Sequence, residues 1–271
     1  MGLKHKILIF ALLAAVCFTS CGRNEGKDSA DPGQPEKVML TVAAAASLKN
    51  VFENELIPAF NRQFPDIAIS GVYDSSGRLQ TQIEEGLEAD IFFSAATKQM
   101  NALNDGGKII SSTIRPLLEN KIVLITGADP GNDLTEKLKV FTDIVNADTI
   151  AIGDPESVPA GQYAKEAFVS LGIWEDVIAK ASLGTNVTEV LTWVAEGSAQ
   201  AGVVYATDAA SQPKVRVIAE APEGALKKPV IYPVAQVAAG RHPEEAGLLL
   251  EFLAGEEASG IFERYGFTVN K

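Results

Sequence analysis

Apolar residues along this chain fall into short runs that alternate with longer stretches of helical spacing. The short runs occupy 38–43, 67–72, 91–94, 122–126, 149–152, 201–205, 215–219 and 230–238 and are rich in Val, Ile and Ala. Runs of that kind read as strands buried on both faces. Between them, helical spacing starts near Ser47, Ser76, Thr97, Leu134, Gly161, Trp174, Asn186, Pro243 and Glu256. Strands alternating with helices predict βαβ units, and so an α/β protein whose sheets are mainly parallel and flanked by helices. Pro58 falls inside the first helix and should kink or restart it.

The same pattern predicts two lobes. The run 121–126 opens a new series of βα units after Pro116 and Glu119, and 229–239 is a long apolar strand followed by two helices that end at Phe262 and Tyr265. A strand that crosses back, with its helices completing the first lobe, is the simplest source of a discontinuous domain. The expected division is 37–119 with 232–271 as one lobe and 120–231 as the other.

The N-terminus sets the expected compartment. Lys4, His5 and Lys6 precede an apolar run from Ile7 to Phe18, too short to span a bilayer comfortably and laid out like a secretory signal over 1–20. Thr19, Ser20 and Cys21 follow, resembling a bacterial lipobox with Phe18 at the position usually held by Leu. Lipidation of Cys21 would anchor the chain through buried methylenes, each contributing about 0.8 kcal/mol. Residues 22–36 are Gly, Pro and charge with almost nothing apolar, the composition of a flexible tether. The expected location is therefore the periplasm or the outer face of the cell membrane.

Cys17 and Cys21 are the chain's two cysteines, so the remainder has neither a disulfide nor a cysteine-based metal site. A formal charge of −12 argues against nucleic acid as a partner. It also means that an anionic ligand would have to be held by local dipoles rather than by long-range attraction.

Four helix starts could supply those dipoles. The first strand runs into Ala44–Ala46 and then Ser47, which reads as an N-cap. Val72-Tyr73-Asp74-Ser75-Ser76-Gly77 precedes a second helix, Gly153 to Gly161 a third, and Gly184-Thr185-Asn186-Val187 a fourth. Helix starts carry unpaired N–H groups and the positive end of the macrodipole, so several aimed at one crevice make an anion site without Lys or Arg. In open α/β sheets that crevice lies beyond the carboxyl ends of the strands. Singly, each is an ordinary capped helix.

AAASL (44–48), SSGRLQTQIEEG (75–86), ADIFFSA (89–95), GDPESVPAGQYAKEAF (153–168), GVVYATDA (202–209), KKPVIYPVA (227–235) and IFERYGF (261–267) together resemble the bacterial periplasmic molybdate-binding proteins of ABC importers. The resemblance runs from about residue 38 to the end, and the GDPxxVPAG-YAKEA string is its most specific part. It implies a two-lobed type II periplasmic-binding fold that holds molybdate, or tungstate, and delivers it to the membrane subunit of an ABC permease. It also implies a monomer without cofactor, in which no metal is directly coordinated and hydrogen bonds alone hold the oxyanion. The implied ligand groups are the hydroxyls of Ser47 and Ser76 (or its neighbour Ser75), the backbone N–H groups of Ala160 and Val187, and the phenol of Tyr205. Gly77 stands where relatives often carry Ser or Thr and is expected to loosen that wall. Arg78 would point to solvent or add positive charge at the mouth.

A site of pure donors suits a fully deprotonated dianion, which can only accept hydrogen bonds. Charge-assisted bonds of about 1.5–3 kcal/mol each, less the ordering costs, support micromolar-to-nanomolar binding of about −8 to −12 kcal/mol. Donors spaced for molybdate would sit too far from sulfate's shorter bonds, while tungstate is nearly the same size.

Two other readings stay open on sequence. Another solute, such as sulfate, thiosulfate, phosphate or an amino acid, could occupy the crevice, with Arg78 and Asp74 as the charged pair an amino acid would need. An exported hydrolase would have to use His242, beside Pro243 at a helix start, with no GxSxG, P-loop or HExxH pattern to support it. Trp174, Trp193, Phe92 and Phe93 read as core.

Overall fold

The computed structural model describes residues 37–129 and 134–270. The expected signal segment, Cys17, Cys21 and the tether lie outside the described residues. The chain first lays down β1 (Val38–Ala45), α1 (Lys49–Val51), α2 (Ile57–Gln63), β2 (Ile67–Asp74), α3 (Ser76–Glu84), β3 (Ile91–Phe93), α4 (Thr97–Asp105) and β4 (Arg115–Asn120). It then builds β5 (Ile122–Gly127), α5 (Leu134–Lys137), β6 (Ile150–Gly153), α6 (Pro159–Ser170), α7 (Trp174–Ile178) and β7 (Ala181–Gly184). After these come α8 (Val187–Ala195), β8 (Ala201–Tyr205), α9 (Ala206–Ala210) and β9 (Val215–Glu220). The return leg is β10 (Val230–Gln236), α10 (Pro243–Leu253), α11 (Glu256–Arg264) and β11 (Thr268–Val269).

Two sheets result, in the order β11-β4-β10-β3-β1-β2 and β7-β6-β8-β5-β9, each flanked by helices. This is the expected two-lobed α/β architecture, but its sheets are mixed rather than mainly parallel. β1 is parallel to β2 and β3, whereas β10 is antiparallel to β3 and β4, and β11 to β4. In the second sheet β6 is parallel to β7 and β8, while β5 is antiparallel to β8 and β9. β5 and β10 are the strands that arrive from the other sheet. No βα crossover on their own sheet obliges them to run parallel.

Four elements escape the sequence pattern: β4, β7, β11 and α9. Pro116 and Glu119 had marked a break, yet both lie in β4. Pro116 pairs with Pro233 of β10 where the register shifts between Tyr232 and Pro233. Two residues without an N–H are thus placed at one irregularity, where the ladder is already interrupted. Pro58 marks a restart, one of the two expected outcomes: a π turn over Phe52–Leu56 joins α1 to α2 and sets the proline in the first turn of α2.

A continuous apolar core runs through both sheets, from Leu40 and Phe60 to Ile152 and Phe168. Edge-on aromatic pairs bridge it: Phe52–Phe93 at 6.0 Å, Phe93–Phe262 at 6.2 Å, Phe262–Phe267 at 6.0 Å, Phe267–Tyr232 at 5.4 Å and Tyr232–Tyr205 at 5.4 Å. Phe92 and Phe93 are fully buried as expected, whereas Trp174 and Trp193 are only half-buried against the core. Among the described residues no helix is long and apolar enough to cross a membrane.

The start of α6 sits tightly against the end of β6. A methyl group on Gly161 would lie 1.9 Å from the Gly153 carbonyl oxygen, and one on Gly153 would lie 2.5 Å from the Val158 side chain. Both glycines are needed for this approach. Gly161→Ala is expected to lower the free energy of unfolding in urea by about 1–3 kcal/mol, the cost of overpacking. An unchanged midpoint would mean that α6 can shift away freely.

Candidate functional site

β1 ends in the 3-10 turn Ala46–Leu48, which holds Ser47. Ser47 is not the N-cap expected from its sequence position. That place belongs to Ala45, which makes no side-chain cap bond. The Ser47 hydroxyl instead lies 3.0 Å from the phenol oxygen of Tyr232. A helix that begins with a tight turn places its capping position one residue or more from where a sequence pattern puts it.

At the next helix start, Ser75 and Ser76 divide two tasks. Ser75 caps α3 by accepting the Arg78 N–H at 3.4 Å, and Ser76 is the first helical residue. Fully buried, Ser76 accepts the Ala95 N–H on its Oγ at 2.9 Å, which leaves its own proton to donate. Gly77 does not loosen the wall as expected. Its N–H donates to the Ser157 carbonyl at 3.0 Å, a bond from the first sheet's helix to the loop before α6. A Cβ on Gly77 would lie 2.2 Å from that oxygen, so glycine is what permits the approach. Gln99 Nε2 adds a second bond of this kind to Gln162 Oε1 at 3.2 Å. Arg78 is half-exposed and lies 3.6 Å from Asp74, so the pair an amino acid would need is turned on itself.

On the second sheet, Pro159 and Ala160 open α6, and Val187 opens α8. First-turn N–H groups have no acceptor within their own helix. Val158 and Pro159 carry no capping side chain, and Asn186 Oδ1 takes the Glu189 N–H at 3.0 Å. The N–H of Val187 is thus left outside that cap. Tyr205 ends β8, is buried, and donates to the Ala95 carbonyl at 3.4 Å.

These contacts bring three of the five expected residues together around Ala95 and Tyr232. Ala95 receives Tyr205 on its carbonyl and gives its N–H to Ser76, while Tyr232 packs on Tyr205 and bonds Ser47. The starts of α6 and α8 close on the same junction. Gly77 bonds Ser157 just ahead of Ala160, and α8 packs on the turn that holds Ser47. Beside it a cleft of about 530 Å³ opens between Ala46, Lys49 and Tyr73 on one side and Asn186, Thr188 and Trp193 on the other.

Tyr232, Asn120 and Asp208 belong to this neighbourhood and were not singled out from sequence. Burial, reinforced for Tyr232 by the Asp208 charge, holds both phenols well above their ordinary value, so they remain donors. Asp208 on α9 is buried, and its Oδ2 has no hydrogen-bond partner. Desolvation pushes its carboxyl up to about 7, opposed by a hydrogen bond from the Tyr205 backbone. Among the described residues no cluster of metal-ligating side chains occurs. His242 precedes α10 and gives its backbone N–H to Asp90 Oδ1 at 3.1 Å, a structural contact.

Two lobes joined by crossing strands, with helix starts and hydroxyls meeting between them, are the architecture of a solute-binding protein. Residues 40–268 match the family model of the bacterial extracellular solute-binding proteins, and the chain belongs to that family. It is 37% identical, over 98% of both chains, to YvgL of Bacillus subtilis (strain 168), to which the role of ABC transporter substrate-binding lipoprotein is ascribed. It is also 37% identical, over 90% of its own length and 92% of the other, to the molybdate-binding protein ModA of Escherichia coli (strain K12). A solved substrate-binding domain from Clostridium difficile, ascribed to a molybdenum ABC transporter, superposes with a TM-score of 0.63 at 33% identity, covering 87% of this chain and all of that one. The protein is thus a ModA-like solute-binding protein, not an enzyme.

Asp208 generates a pH dependence. Below about pH 4 its carboxyl is neutral in both the folded and unfolded states. Between there and about pH 7 the unfolded chain releases the proton and the folded chain keeps it, so stability falls as pH rises and then levels off. The melting-temperature difference between Asp208→Asn and the parent protein should therefore grow in favour of the variant from pH 4 to 7 and stay constant above. A difference independent of pH would show that Asp208 ionises normally.

Proposed function

We propose that the protein captures molybdate between its lobes and presents it to the membrane subunit of an ABC permease. The observation that carries this reading is a junction whose implied ligand groups are all donors: the hydroxyls of Ser47, Ser76 and Tyr205 and the first-turn N–H groups of Ala160 and Val187. None carries a positive charge, so a dianion is favoured by bonds and dipoles alone. The ModA relatives support molybdate as the anion. Tungstate has the same charge and nearly the same size and is expected to bind as well.

The moving bodies in this reading are 37–119 with 232–271 and 120–231; the membership of the two sheets supports the division apart from Asn120, Val230 and Ile231, which belong to strands of the first sheet. They close as a monomer around one anion, with Gly77–Ser157 and Gln99–Gln162 as contacts of the closed form. Upstream, residues 1–20 serve as the export signal, lipidated Cys21 as the anchor, and 21–36 as the tether, which places the protein on the outer face of the membrane. The lipoprotein role ascribed to YvgL supports that part.

Isothermal titration of the mature protein should show one molybdate per chain, with tungstate similar and sulfate and phosphate far weaker. Tight binding of sulfate or phosphate and none of molybdate would sink the reading. Tyr205→Phe should weaken molybdate by about 1–2 kcal/mol, the scale of one lost hydroxyl bond. Retention of full affinity would remove Tyr205 from the site. In detergent phase partitioning, the full chain made in a bacterium should enter the detergent phase and Cys21→Ala should not; equal partitioning would exclude the anchor.

A further inference from the structure

Ser47 is a useful ligand for an anion only if its proton, and not a lone pair, faces the crevice. A hydroxyl is free to do either. The structure contains a chain of bonds that decides between them.

Its fixed point is Asn120, the last residue of β4. Asn120 Oδ1 accepts the backbone N–H of Lys121 at 2.8 Å, so the opposite end of the amide must be the NH₂ group. That Nδ2 donates to Thr207 Oγ1 at 2.8 Å and to the phenol oxygen of Tyr232 at 3.2 Å. The Tyr232 oxygen therefore already accepts a hydrogen bond from a group that can only donate. Tyr232 is fully buried, and in its 3.0 Å contact with Ser47 Oγ either atom could be the donor; the bond already accepted from Asn120 favours Tyr232 as the donor and Ser47 Oγ as the acceptor. Once Ser47 accepts that proton, its own leaves in another direction, and the turn that holds Ser47 packs against α8 of the second sheet.

We infer that Asn120 and Tyr232 are positioning residues which orient the Ser47 hydroxyl as a donor toward the bound anion. This deepens the oxyanion reading and rests on it. Burial keeps the Tyr232 phenol protonated, so the relay keeps its direction across the working pH range. Ser76 reaches the same state by a shorter route, since the Ala95 N–H fills its oxygen directly. Each serine oxygen thus already accepts one hydrogen bond, which leaves its own proton for the anion.

The test is a double-mutant cycle read by molybdate titration. Tyr232→Phe removes the phenol and frees Ser47 to rotate, and it should weaken binding about tenfold in the parent protein. In a Ser47→Ala background the same change should cost less than about twofold, because the group it acts through is gone. A purely structural role would give the same loss in both backgrounds and would overturn the relay. If Tyr232→Phe does not melt cooperatively, Asn120→Asp replaces it in the cycle. Its carboxylate accepts where the amide donated, so it should draw the phenol proton away from Ser47 and couple to Ser47→Ala in the same sense. A parent protein that binds no molybdate fails the proposed function itself. A parent that binds molybdate with additive losses fails only the relay.

Discussion

The constraint on which this structure turns is the gathering of hydrogen-bond donors, hydroxyl and backbone N–H, at one place. The first turns of α6 and α8 and the hydroxyls of Ser47, Ser76 and Tyr205 are held where the two sheets meet. Each unmet donor costs about 1–3 kcal/mol in a dry setting. In the proposed reading a tetrahedral dianion, which only accepts, meets these donors, and the Tyr205 proton, held at 3.4 Å by the Ala95 carbonyl, turns to it on binding. A chain of formal charge −12 does not attract such an anion at long range. The affinity has to come from the local arrangement of donors, and much of the fold can be understood as what holds that arrangement rigid.

The rigidity has identifiable parts. Gly153 and Gly161 let the start of α6 sit against the end of β6. Gly77 lets the start of α3 reach the Ser157 carbonyl, tying the two sheets at the rim. The aromatic series from Phe52 to Tyr205 passes through Tyr232, so the residue that touches Ser47 is also a member of the continuous core. A shift in the packing of either sheet would be felt at the donors. Asp208 fits the same logic, because desolvation that raises its carboxyl to about 7 leaves it carrying less negative charge than an ordinary carboxylate would.

How much of this was legible in the sequence follows from the range of each interaction. Strands such as 201–205 and the start of α3 were readable because periodicity and capping are local signals. β4 was not, since Pro116 is a strand breaker until it is placed opposite Pro233 at a register shift, which is a property of the pairing. Ser47 was singled out through its AAASL motif but given the wrong local role, because Ala45 and not Ser47 occupies the cap. Tyr232 lies 185 positions from Ser47, and no spacing rule connects them. Gly77 was misjudged for the same reason: a missing side chain suggests looseness until the carbonyl on the far side of the junction is in view.

The most direct measurement is a crystal structure of the mature protein with molybdate bound. The anion's oxygens should lie within about 3 Å of the Ser47, Ser76 and Tyr205 hydroxyl oxygens and of the Ala160 and Val187 nitrogens, with no Lys or Arg nitrogen in contact. An anion bound elsewhere, or held by Arg78, Lys49 or another charged side chain, would contradict a site built from dipoles and hydroxyls alone.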